Sequence, residues 1–144
     1  NPLPKTALDV HYNPTSLANN TGGGDVITFG GGTTVQGKTY YLHSNGQWDQ
    51  VSIATAASGG LGMLAMALGT NPAVDGMLIR GFFDAHTYLD GPFTTGATLY
   101  LTSSGGITTD RPSGSGESLR VVGTCTPTAS VIYFNPSPDY MVIS

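Results

Sequence analysis

The sequence predicts an all-β fold, a small barrel or sandwich built from two similar β units, with an extended N-terminal arm. Three observations lead there. Glycine fills 21 of 144 positions, roughly twice its usual share of about 7%, and nine prolines accompany it, so turns are frequent and regular elements short. Charged residues make up 10% of the chain, against about 25% on average, which argues against a helical bundle rich in Glu and Lys. Finally, the text repeats itself. Gly37-Lys-Thr-Tyr-Tyr-Leu42 matches Gly96-Ala-Thr-Leu-Tyr-Leu101 at an offset of 59 residues (96 less 37), and the same offset carries Ser44-Asn-Gly-Gln-Trp48 onto Ser103-Ser-Gly-Gly-Ile107.

Residues 1–24 read as an arm or linker. Pro2, Pro4 and Pro14 deny it a regular element, and Asn19-Asn-Thr-Gly-Gly-Gly24 ends it flexibly. Within the arm Leu8, Val10 and Tyr12 alternate with polar partners, the pattern of a short strand. The β domain spans 25–144. It opens with strand-like Asp25-Val-Ile-Thr-Phe29, stopped by Gly30-Gly-Gly32. Two units follow, approximately 37–81 and 96–136, each reading as strand, tight hairpin, strand, loop, strand, turn, strand. Gly46 and Gly105 supply the positive φ that the hairpins demand. The third strands are the apolar run ending at Gly69 and Leu119-Arg-Val-Val-Gly123; the turns hold Pro72 and Pro127; the last strands are Met77-Leu-Ile-Arg80 and Val131-Ile-Tyr-Phe134. Propensity alone favours a helix over Ile53–Leu68, but Gly59, Gly60 and Gly62 interrupt it, and the match to Leu119–Gly123 argues for strand.

Charge and cysteine content exclude several functions. Five basic residues face nine acidic ones, a net charge of −4, and Lys5, Lys38, Arg80, Arg111 and Arg120 are scattered. A phosphate backbone or an anionic membrane needs clustered cations, so neither nucleic acid nor a membrane surface is an expected partner. No stretch approaches the roughly 20 apolar residues of a membrane span. The lone Cys125 allows no internal disulfide and no multi-thiolate zinc site, and reads as a small buried residue.

Three groups of residues are candidate sites. Asp84, His86 and Asp90 share parity, so an extended chain places them on one face where they could ligate a divalent ion. The alternative is turn capping, and no metal or other cofactor is expected. Trp48 with Tyr40 and Tyr41 across the hairpin could stack on a sugar, or could simply form cross-strand pairs that stabilise it. Leu61, Met63, Leu64, Met66 and Leu68 form an apolar surplus that could contact other copies of the chain. No Gly-x-Ser-x-Gly frame, Walker loop or dinucleotide fingerprint is present, and no enzymatic activity is expected.

Gly37-x-x-Tyr-Tyr, Asn45-Gly-Gln-Trp48, the run from Leu61 to Gly69, Gly76-Met-Leu-Ile-Arg-Gly81, Gly96-Ala-Thr-Leu-Tyr-Leu-Thr102, Leu119-Arg-Val-Val-Gly123 and Ile132-Tyr-Phe-Asn-Pro136 together resemble a module of tailed-bacteriophage virion proteins, found at the C-terminal end of tail fibres and related surface proteins. The similarity covers roughly residues 25–144. The same cadence of turn glycines also resembles small capsid decoration proteins. The resemblance implies a virion location, a homotrimer, contacts with other virion proteins and a role at the host surface, where the module could touch a glycan. It brings no catalytic residues. The expectation from a different class is a virion-associated glycan hydrolase or a carbohydrate-binding module.

Overall fold

A computed structural model describes residues 14, 17–55 and 62–144. The elements are β1 (Gly22–Ile27), β2 (Thr39–Leu42), β3 (Trp48–Gln50), β4 (Leu64–Ala67), a single helical turn α1 (Pro72–Asp75), β5 (Met77–Asp84), β6 (Leu89–Asp90), β7 (Thr98–Leu101), β8 (Ile107–Thr108), β9 (Ser118–Leu119), β10 (Val121–Cys125), β11 (Val131–Phe134) and β12 (Met141–Val142). Among the described residues, ten strands join one sheet that curls into a half-barrel, and β9 and β12 pair separately. The all-β prediction from two similar units holds.

The two units share their hydrogen bonds as well as their strands. In the first, β3, β2, β4 and β5 lie side by side in that order; in the second, β8, β7, β10 and β11 do the same, all antiparallel. Leu42 opposes Trp48 as Leu101 opposes Ile107. The Gly37 amide donates to the Ala67 carbonyl at 2.9 Å, and the Gly96 amide donates to the Cys125 carbonyl at 2.9 Å. Both hairpins close through the predicted glycines, Gly46 at φ 85° and Gly105 at φ 79°.

Strand β5 joins the halves. Met77 and Leu78 pair with β4 on one edge and β1 on the other, while residues Gly81 to Phe83 pair with β11 and β1. A strand has two edges, so β4 and β11 follow one another along the same edge of β5, and β1 runs along the opposite one. The equivalent strand β11 stops after Phe134, because Pro136 and Pro138 lack the amide that a longer ladder requires. Strand β1 begins at Gly22, three residues inside the segment read as arm. A Cβ on Gly24 would collide with the Arg80 carbonyl and one on Gly81 with the Gly23 carbonyl, so these glycines permit the close approach of two backbones. The strand expected around Leu8–Tyr12 lies outside the described residues.

The segment that propensity assigned to helix contains strand β4. Its four residues are buried, Leu64 and Met66 in the main core and Ala65 and Ala67 in a second cluster on the opposite face. A strand between two neighbours and two cores offers alternating apolar sites, and tertiary burial overrides local preference. Pro72 begins α1 rather than a plain turn. Asn71 caps it by accepting from the Ala73 amide at 3.1 Å, and Gly76 ends it at φ 89°.

The main core gathers Tyr41, Leu64, Met66 and Leu78 from the first unit and Leu99, Leu101, Ile107, Cys125, Ile132 and Phe134 from the second. The smaller cluster holds Tyr40, Trp48, Ala65, Ala67 and Met77. Residues 28–36 contribute directly to it. The Trp48 indole donates to the Phe29 carbonyl at 3.0 Å and stacks on the Phe29 ring with centroids 6.4 Å apart, and the Val35 amide donates to the Tyr40 hydroxyl at 2.7 Å. The first unit therefore has apolar cores on both faces of its sheet.

Candidate functional site

The second unit has one face in the main core, and the other carries its accessible side chains. Side chains on neighbouring strands that face each other across a pair share a face. The register places Phe82 beside Tyr133, Tyr133 beside Thr124 and Thr124 beside Thr98, a row across β5, β11, β10 and β7. Two residues back along β5, Arg80 lies on the same face, opposite Asp25 of β1. The equivalent face of the first unit carries Leu78 and Met66, both fully buried.

Among the described residues, two clefts border this face. The first is bounded by Gly24, Asp25, Arg80, Gly81, Phe82 and Tyr133. The rings of Phe82 and Tyr133 are 5.1 Å apart at 37°. The Arg80 guanidinium meets the Asp25 carboxylate at 3.0 Å, with the two side chains 59% and 52% exposed. An ion pair this open is screened by water and contributes little to stability. The second cleft is an apolar groove of Leu119, Val121, Ser137, Asp139, Tyr140 and Met141 where β9 and β12 stand apart from the large sheet. Tyr140, Met141 and Val142 are exposed there, Met141 by 53%.

Two of the three sugar-stacking candidates are buried, and the third is partly so. Trp48 is 2% exposed and Tyr40 4%, both in the smaller cluster, and Tyr41 packs from the other side against the main core. The pleat sends Tyr40 and Tyr41 to opposite faces, so the three rings form no common platform. Burial pushes the Tyr40 hydroxyl above its ordinary pKa, against a smaller opposing effect of the hydrogen bond from Val35.

The metal candidates do not form a ligand group either. Asp84 ends β5, is buried, and accepts from the His86 amide at 3.1 Å; a turn follows, and Asp90 lies in β6 at the far edge of the sheet. That turn breaks the extended backbone on which the shared-parity argument depended. No group of three or more His, Cys, Asp or Glu that could hold a metal ion occurs among the described residues.

Of the candidate contact residues, Leu64 and Met66 are buried in the chain's own core and are unavailable to a partner. Met63 and Leu68 are partly buried against the two clusters, and Leu61 lies outside the described residues. Cys125 is buried in the main core, and desolvation raises its thiol pKa, which keeps it protonated and unreactive. Arg120 is buried too. It donates to the Ser137 carbonyl at 2.7 Å and to the Gly62 carbonyl at 2.8 Å, tying the segment before β12 to the start of the strand β4 region.

Sequence reasoning missed Asp25, Arg80, Phe82 and Tyr133. Alternation along β5 separates Arg80 and Phe82 from buried Phe83, a signal visible in the text, but the partners on β1 and β11 come from distant pairing. No helix of the described residues is long and apolar enough to cross a membrane. Comparison with protein-family models, curated proteins and solved structures gave no match.

Proposed function

We propose that the chain is a structural surface module of a tailed-phage virion that assembles with copies of itself, as a homotrimer, and projects one face of its second unit outward. The sequence resemblance supports the virion setting, with a tail fibre as the first location. The duplicated β frame suits a rigid building block. The observation that carries the assembly is the apolar groove of Leu119, Val121, Tyr140 and Met141, with Val142 exposed beside it. Contiguous exposed apolar surface marks a contact site, and a second copy of the chain is the occupant most consistent with a module of this type.

Light scattering of the purified chain at micromolar concentration is expected to give three times the 14.8 kDa chain mass. Met141→Asp is expected to give the single-chain mass with an unchanged circular-dichroism spectrum. A wild-type chain of monomer mass overturns the assembly. Antibody against the chain, applied to intact particles, is expected to label the tail; label on the capsid shell favours the decoration reading, and unlabelled particles overturn both.

A further inference from the structure

We propose that the cleft between the Asp25–Arg80 pair and the Phe82–Tyr133 pair binds the ring of a neutral saccharide. The inference deepens the surface-module reading, relying on it only for the kind of surface touched. Four features combine. The two rings, with centroids 5.1 Å apart, provide an apolar patch beside the polar side chains of Arg80, Asp25 and Thr124. One side of a sugar ring presents C–H groups, and covering that side with an aromatic surface removes both from water.

The ion pair places donors and an acceptor together, 3.0 Å apart. Adjacent sugar hydroxyls each donate and accept, so Arg80 and Asp25 can serve a pair of them at once. On β1 the residue opposite Phe82 is Gly23, and a Cβ there would meet no atom within 4 Å. This missing side chain leaves space beside the ring. Thr124, exposed and paired with Tyr133, adds a hydroxyl on the other side.

Charge selects the class of sugar. Arg80 is neutralised by Asp25, and the chain carries a net charge of −4. An anionic sugar gains nothing from a cation already paired, and the overall field opposes it. Few polar groups converging beside an aromatic surface is the usual anatomy of a small-molecule site.

Amide chemical shifts of the isotope-labelled full chain would be followed while lactose, maltose, chitobiose and mannobiose, and sialyllactose as the anionic probe, are each raised to about 10 mM. At least one neutral sugar is expected to move the amides of Asp25, Arg80–Phe82 and Tyr133, saturating with a Kd of about 1 mM. Tyr133→Ala and Arg80→Ala are each expected to weaken it about tenfold. Gly23→Leu fills the open space without removing a contact. It is expected to abolish binding at an unchanged Tm, so loss of binding cannot be confused with loss of fold. The proposal fails if no neutral sugar moves these amides, if the shifts map elsewhere, if sialyllactose binds as tightly as the tightest neutral sugar, or if Gly23→Leu binds normally. Failure here, with the trimer mass and particle labelling intact, removes the sugar site and leaves the surface module standing.

Discussion

The two units share a backbone plan and differ in what their faces meet. Tyr40, Leu42 and Trp48 of the first correspond to Leu99, Leu101 and Ile107 of the second. The first set sits at a small cluster to which Phe29 and its neighbours contribute; the second set sits in the main core. On the reverse side, Met66 and Leu78 face that same core, while their counterparts Thr124 and Tyr133 reach solvent. The first unit is thus the cover for the second. Repetition sets the hydrogen-bond frame, and side-chain chemistry at equivalent positions decides which face is left available for recognition.

The largest expected effect comes from truncating equivalent residues. Met66→Ala is expected to cost about 2–5 kcal/mol, because it empties a fully buried site. Thr124→Ala, at the matching exposed position, is expected to change stability by about 0.5 kcal/mol or less. Urea unfolding measures both, and similar costs at the two positions would break the comparison.

The hairpin glycines sharpen it. Around Gly46 a Cβ would meet nothing within 4 Å, so Gly46→Ala costs only the strain of positive φ, about 1–2 kcal/mol. Around Gly105 a Cβ would lie 2.7 Å from Gln50 Cγ and 3.3 Å from the Thr39 carbonyl, whose own amide donates to the Gly105 carbonyl at 2.7 Å. Gly105→Ala is expected to cost about 1 kcal/mol more, the excess measuring how tightly the tip of the second unit docks on the first. Equal costs would mean that the docking contributes nothing.

The smallest effect concerns Cys125, which occupies the place that Ala67 holds in the first unit. Its thiol pKa is raised above 9.0 by burial, so the folded state holds the proton more tightly than the unfolded chain does. Its contribution is therefore complete below pH 9 and is lost as pH rises through the folded-state value. Stability is expected to decline above about pH 9, with Tyr40, raised above 10.0 by burial, extending the decline. Cys125→Ala makes the second unit match the first and is expected to reduce the slope between pH 9 and pH 10; an unchanged slope there would assign it to other groups.

Some of this was legible in the text and some was not, for local and non-local reasons respectively. Gly46 and Gly105 announced their hairpins because positive φ is a property of one residue. Trp48 reads equally as a sugar platform or as a hairpin-stabilising ring because a hairpin aromatic has two faces to choose from, and only the 28–36 segment lying against it shows which is covered. Gly22–Gly24 looked like linker because nothing nearby reveals that the β5 backbone comes too close for a Cβ. The sequence by itself determined the hairpins, the doubling and the repeated strands of the two units, since each rests on alternation, turn chemistry or self-similarity within a few residues. The tertiary structure decided which face of each strand meets a core, that β5 is shared by both halves, and that Asp25, Arg80, Phe82 and Tyr133 meet. The physical reason is that a strand presents two faces and two edges, and what fills them arrives from elsewhere in the chain.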